Sequence, residues 1–193
     1  MKFIAGRLCL DFVNTVGGRT ETVLRDKLNE YSDLLRFAQL SGTLSPAGAR
    51  RLARVAAEGA DRAAAALTRA IAFREALYRI FKASLDGRRP SGPDLETLGM
   101  EVSTSRSHER LALAGGMYSW AWDDDAVPDR VLWPVARSAA ELLTSEDMEK
   151  LRQCGGVECG WLFLDTSRNR SRRWCDMRDC GNRAKVRRFR EKR

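Results

Sequence analysis

Apolar residues recur every three or four positions along much of the first 110 residues. Leu28, Tyr31, Leu34, Leu35 and Ala38 form one such stripe and predict a helix over 26–40, ended by Ser41-Gly42. Ser45-Pro46 reads as an N-cap followed by proline at the first helical position, opening a helix to Glu58. A longer helix is predicted over 61–85, with Leu67, Ile71, Phe73, Leu77, Ile80 and Phe81 on its buried side. Residues 86–93 are a Gly/Pro loop, and Asp94 reads as the cap of a helix to about Ser105. The period then changes. Residues 110–114 and 117–122 alternate on either side of Gly115-Gly116, which predicts a β-hairpin with Tyr118, Trp120 and Trp122 on one face, ended by Asp123-Asp124-Asp125. A helix over 130–143 packs Leu132, Val135, Ala139 and Leu142, and an acidic turn starts at Ser145. Residues 3–16 are apolar and rich in β-branched side chains, so strand and buried helix both fit; Gly17-Gly18 breaks the pattern.

These patterns give an α+β chain: a mainly helical N-terminal domain over 1–147 with a small β-hairpin, then a C-terminal module over 148–193. The 193 residues suffice for both. Charge divides at the same place. The net charge is +8, but residues 150–193 carry 14 basic and 5 acidic side chains, against 20 and 21 in residues 1–149. A near-neutral body with a basic terminal module suits nucleic acid, an acidic protein or an anionic membrane surface. No apolar run approaches the roughly 18 residues of a membrane span, and the N-terminus has no secretory apolar region, so a cytoplasmic location is expected.

Four of the five cysteines follow C-x4-C-x15-C-x4-C: Cys154, Cys159, Cys175 and Cys180. Paired thiols with this spacer are the pattern of a structural zinc site, favoured here over four free buried thiols or disulfides. Four thiolates close the tetrahedral shell, which argues for one structural ion and against catalytic zinc. Gly155-Gly156 permits a tight knuckle, and nearby Lys, Arg and a helix dipole favour thiolates. Residues 160–165 are strand-like and read as the first arm of a hairpin; 165–173 turn the chain; 182–193 are helix-compatible, with Val186 and Phe189 placed to face Trp161 or Phe163. That order describes a treble-clef-like finger, with a zinc ribbon as the alternative. The module is too small for a core of its own, so metal should supply much of its folding energy.

Arginine dominates the module. Arg170, Arg172, Arg173, Arg178, Arg183, Lys185, Arg187, Arg188 and Arg190 are the candidate DNA contacts, with Arg168, Lys192 and Arg193 beside them. The competing view is a solvated tail that partly balances a centre of about −2.

Cys180-Gly181-Asn182-Arg183 spells CGNR, preceded by Trp174-Cys175-Asp176-Met177. This resembles the CGNR zinc-finger family of bacteria. Leu8-Cys9-Leu10-Asp11-Phe12-Val13-Asn14-Thr15 resembles the opening of the ABATE domain that precedes that finger. The resemblance implies a stress-linked transcription regulator with a DNA-binding treble-clef-like finger, and a larger domain that senses something such as a small ligand. Its metal ligands map onto Cys154, Cys159, Cys175 and Cys180. Asn182 and Arg183 are the family's named pair, for which both a bracing role and a phosphate contact are available.

In the larger domain, Asp11, Asn14 and Thr15 interrupt an apolar run, and Arg74 lies in an apolar helix where it could pair with Asp11. Asp11, Asn14 and Arg74 are therefore the candidate ligand contacts, against an internal hydrogen-bond network. The Tyr118, Trp120 and Trp122 stripe reads as core, interface or pocket wall, Cys9 as a buried apolar residue and His108, the one histidine, as surface. No P-loop, dinucleotide fingerprint, H-E-x-x-H or G-x-S-x-G is present, so a non-enzymatic protein is expected. The alternatives to DNA are an adaptor for an acidic protein and an RNA binder; homodimerisation stays open.

Overall fold

A computed structural model describes residues 1–20, 24–123 and 126–191. Asp124, Asp125, Lys192 and Arg193 lie outside the described residues.

Seven helices and three two-stranded antiparallel sheets make up the described chain. They run α1 (Leu8–Val13), β1 (Val16–Gly17), β2 (Arg25–Asp26), α2 (Tyr31–Leu40), α3 (Pro46–Glu58), α4 (Ala60–Leu85), α5 (Gly92–Ser107), β3 (Glu109–Ala114), β4 (Met117–Trp122), α6 (Trp133–Leu143), β5 (Leu151–Gln153), β6 (Leu162–Leu164) and α7 (Asn182–Arg190). Short 3-10 turns at Pro128–Leu132 and Glu146–Lys150 flank α6, and a π-type turn at Met177–Gly181 leads into α7.

The long α4 is the hub, touching α1, α2, α3 and α5. Its buried side starts with Ala63, Ala66 and Ala70 and continues with Phe73, Leu77, Ile80 and Phe81. The alanines let neighbouring backbones approach closely, so the expected Leu67 and Ile71 end up only half-buried. The short α1 settles the ambiguity of residues 3–16 in favour of helix. It is wedged against α4 and α6, with Phe12 edge-on to Phe37 at 5.3 Å.

Three boundaries differ from the sequence reading. Asp26 belongs to β2, and α2 begins only at Tyr31, where Glu30 and Asp33 form a reciprocal capping box. Ser91, not Asp94, caps α5; its hydroxyl accepts from the Asp94 amide and donates to the Asp94 carboxylate at 2.7 Å. The helix expected over 130–143 starts as the 3-10 turn. Ser45 does cap α3, accepting from the Gly48 amide.

The β3–β4 hairpin forms in the expected register around Gly115 and Gly116, both at positive φ (58° and 80°), as a two-residue hairpin turn demands. Tyr118 and Trp120 are not core, however: they are 75% and 54% exposed. His108 is half-buried rather than on the surface, stacked on Trp133 at 4.0 Å. Residues 160–165 contribute the second arm of a hairpin, not the first, because Leu162–Leu164 pairs back onto Leu151–Gln153. Leu151, Trp161, Leu162, Phe163 and Leu164 belong to the same hydrophobic core as the body, so the core runs across residue 148 without a break. Among the described residues no helix is long and apolar enough to cross a membrane.

Candidate metal centre

Cys154 follows β5 and Cys159 precedes β6, so the first knuckle is the turn of the β5–β6 hairpin. Cys175 precedes the π-type turn that opens α7, and Cys180 lies within it. The chain thus brings one pair from a strand turn and the other from a helix start, the expected treble-clef-like order. All four sulfurs are buried and lie within 4.8 Å of one another. The Cys159–Cys175 and Cys175–Cys180 separations are both 3.6 Å. Tetrahedral zinc with Zn–S bonds of about 2.3 Å requires sulfurs about 3.8 Å apart, so the four thiols fit one zinc ion.

Other groups fit a thiolate cluster as well. The amides of Gly156 and Cys175 donate to Cys154 Sγ at 3.4 and 3.3 Å, and the Arg183 guanidinium donates to Cys180 Sγ at 3.4 Å. A Cβ on Gly156 would stand 3.3 Å from Cys180 Sγ, so glycine lets the knuckle pass this close to the second pair without crowding it. Asn182 donates to the Arg178 carbonyl across the π-type turn at 3.2 Å. Three of the thiols oppose one another's ionisation. Hydrogen bonds from Cys159 and Cys175 pull the Cys154 thiol down, and hydrogen bonding to Cys154 in turn pushes Cys159 and Cys175 up. One divalent cation removes that conflict, and it supplies structure rather than chemistry because the shell is full.

Residues 6–146 match the family described as "putative stress-induced transcription regulator", ABATE, and residues 150–193 match the CGNR zinc finger. The chain belongs to the ABATE family. No curated protein matches it. The ABATE part therefore ends, and the zinc finger begins, within a continuous core.

The joint is polar as well as apolar. Asn14 of the ABATE part donates to the Leu162 carbonyl at 2.7 Å and accepts from the Leu162 amide at 3.0 Å, in place of a strand partner. Trp161 Nε1 donates to the Val16 carbonyl at 2.9 Å. Thr20 and Arg25 donate to the first-knuckle carbonyls of Val157 and Glu158 at 2.5 and 3.2 Å. Arg19, Glu75, Arg74 and Asp26 tie this segment to α4. Arg19 and Arg74 bridge Glu75 at 2.7 and 2.8 Å, and Arg74 forks onto both Asp26 oxygens at 2.7 Å. Burial alone would raise Asp26 and Glu75, but the guanidiniums outweigh it and hold both below the usual carboxylate range.

The three candidate ligand contacts are accounted for inside the protein. Arg74 pairs with Asp26 rather than Asp11. Asp11 accepts from the Ile4 and Ala5 amides at 2.9 and 3.0 Å, and burial raises its pKa. Asn14 is the Leu162 clasp. The internal network is thus what these residues build.

The basic residues separate into two groups. Arg172 is a brace. It donates to the Trp174 carbonyl at 3.0 Å and to the Cys175 carbonyl, and lies over the Phe163 ring at 4.4 Å. Its backbone amide is held by buried Asp165, whose carboxyl is kept low first by the Ser167 hydroxyl. Arg183 is half-committed, bonded to Cys180 and to Asp179 at 3.1 Å. Arg170, Arg173, Arg178, Lys185, Arg187, Arg188 and Arg190 are exposed. Val186 and Phe189 are exposed too, at 52% and 62%, and do not reach Trp161 or Phe163. A groove of about 470 Å³ runs between the first knuckle and α7, with Val157 and Glu158 on one side and Arg183, Arg187 and Arg190 on the other. Arg19, Thr20, Arg25, Glu75 and Asp165 are not legible as joint residues in the sequence, since each finds its partner through the fold. The one local signal is an Asp-x-Ser turn at Asp165.

Proposed function

We propose that this ABATE protein regulates transcription by binding DNA through α7 and the second knuckle. The observation that carries the reading is α7 itself. It buries none of its residues, and Lys185, Arg187, Arg188 and Arg190 all face solvent. Nine residues make a rod about 14 Å long, which suits a major groove about 12 Å wide. Arg178 and Arg173 extend the cationic surface beyond the helix, where phosphate contacts would release counterions. Arg172 contributes by holding the second knuckle, not by touching DNA. The proposal includes a cytoplasmic, non-enzymatic protein. A sensing role for the ABATE part, if it takes a small ligand, falls to residues other than Asp11, Asn14 and Arg74.

The zinc-loaded full chain, mixed with sheared genomic DNA at about 0.15 M salt, is expected to retain a few fragments. Alanine at Arg187 or Arg188 should weaken retention and lower the salt slope by about one for each phosphate no longer neutralised. Uniform recovery of all fragments, or none, counts against sequence-specific regulation. A second reading rests on Val186 and Phe189, apolar and exposed among arginines: a basic groove for an acidic protein segment. That adaptor would show no preference among DNA fragments.

A further inference from the structure

The β3–β4 hairpin is built like an arm with an unused grip. Its register puts Leu111 opposite Trp120 and Leu113 opposite Tyr118 on one face; Arg110, Ala112, Ser119 and Ala121 lie on the other. The first four are 59%, 54%, 63% and 75% exposed. Six-residue strands reach about 20 Å, and among the described residues the polar ties of the arm to the body lie at its base. There Trp122 Nε1 meets the Ser105 hydroxyl at 3.4 Å, Arg137 bridges Glu109 at 2.8 Å, and the Asp123 amide donates to the His108 carbonyl. Below the arm, between α5 and α6, lies a cleft of about 490 Å³ with Val102, Trp120 and Ala140 on its apolar side and Arg106, Arg137 and Glu141 among its charged walls.

We propose that the apolar face of this arm and its cleft are the dimer interface, occupied by the arm of a second copy. Three observations select that occupant. Between Glu109 and the tip the face bears no charge, so it offers nothing to phosphate and nothing to anchor an anionic membrane surface. Two aromatic and two leucine side chains at more than half exposure present roughly 500 Å² per copy, or about 1,000 Å² for a pair, which is the lower bound for a biological interface before any of the cleft is added. Finally, an exposed apolar face on one chain is self-complementary across a two-fold axis: each copy's arm meets the other's, with the Val102, Trp120 and Ala140 side of the cleft next to it. A two-stranded hairpin is marginal in water by itself, and the second copy supplies the packing it lacks. The inference does not depend on the DNA reading.

Light scattering on the zinc-loaded full chain tests it. The expected mass, over a dilution series starting at tens of micromolar, is twice 21.7 kDa. The double variant Leu113→Ser/Tyr118→Ser should give the single-copy mass with zinc content and helical signal unchanged, while Ser119→Asp on the opposite face should stay dimeric. Slower amide exchange over 109–122 in concentrated than in dilute wild-type protein is the matching result that requires no variant. A wild-type chain with single-copy mass at every concentration, or a double variant that keeps the doubled mass, overturns the proposal.

Discussion

Cys154 and Cys159 sit in a turn whose two strands pack into the core of the body and whose carbonyls are gripped by Thr20 and Arg25. Cys175 and Cys180 sit in a segment tied to the rest of the chain by Arg172, by the exposed Lys2, by Trp174 packed against the core, by the Gly155 amide donating to the Arg173 carbonyl at 2.9 Å and by the sulfurs themselves, and α7 beyond them buries no residue. The first half of the zinc centre is thus part of the ABATE core, and the second half is a flap that the metal fastens to it. Cys175 and Cys180 close onto that core, but α7 beyond them takes nothing from it, so the metal is expected to matter most for the helix that carries the cationic surface.

The most severe way to break the comparison is to remove the fastening. Cys175→Ser, or chelation of wild-type protein, removes a binding free energy of about 10–16 kcal/mol. Expected outcomes are zero zinc by metal analysis, loss of amide protection over 176–190, and loss of DNA retention. Protection over 151–153 and 162–164 should persist. If both stretches lose protection together, the finger is one unit and the comparison fails.

Arg74→Met attacks the other side. It strands Asp26 and Glu75 without their shared guanidinium, at a cost of about 3–5 kcal/mol in the thermal or denaturant unfolding of the body. Zinc stoichiometry in the folded protein should stay at one. The same carboxylates give an acid signature. Their folded pKa values are depressed, so their stabilisation is complete above the unfolded carboxylate range of about 4 and is lost as the pH falls through the folded values. Denaturant midpoints measured down through that range should fall more steeply for wild type than for Arg74→Met.

Asn14→Ala tests the joint. It leaves the Leu162 amide and carbonyl buried without partners, for about 2–4 kcal/mol. Because the joint belongs to the first half, the global melt should drop while the α7 amides keep their zinc-dependent protection.

The zinc ligands, the helical body and the β3–β4 hairpin are readable in the sequence because each is a local pattern: a cysteine spacing, a 3.6-residue period, a Gly-Gly turn between alternating runs. The joint is not. Asn14 stands out as a polar residue in an apolar run, but its partner lies 148 residues away in a strand whose own pairing the sequence pattern misplaces. Residues 160–165 look like the first arm of a hairpin because the knuckle before them has no strand signature; the three residues of β5 are too short to show a period. Arg172 is indistinguishable from its neighbours by sequence, since whether an arginine turns inward depends on Phe163 and on the carbonyls of Trp174 and Cys175 meeting it there. The exposed arm face looks like core for a related reason: alternation reports a shared face and not what covers it.

The smallest expected effect comes from the ion pairs that tie the flap to the body in solvent. Lys2 bridges Asp176 at 2.8 Å and Asp179 at 3.2 Å, with 43% of its side chain exposed. A pair in that setting is screened and contributes under about 1 kcal/mol. Lys2→Ala should therefore leave zinc affinity within a few-fold of wild type, and added salt should erase even that difference. Competition with a colorimetric chelator at low and high salt measures it. A tenfold or larger loss of zinc affinity that survives high salt would mean that Lys2 and the N-terminal segment hold the second knuckle in place without help from the metal, and the flap would then be anchored to the body as firmly as the first knuckle is.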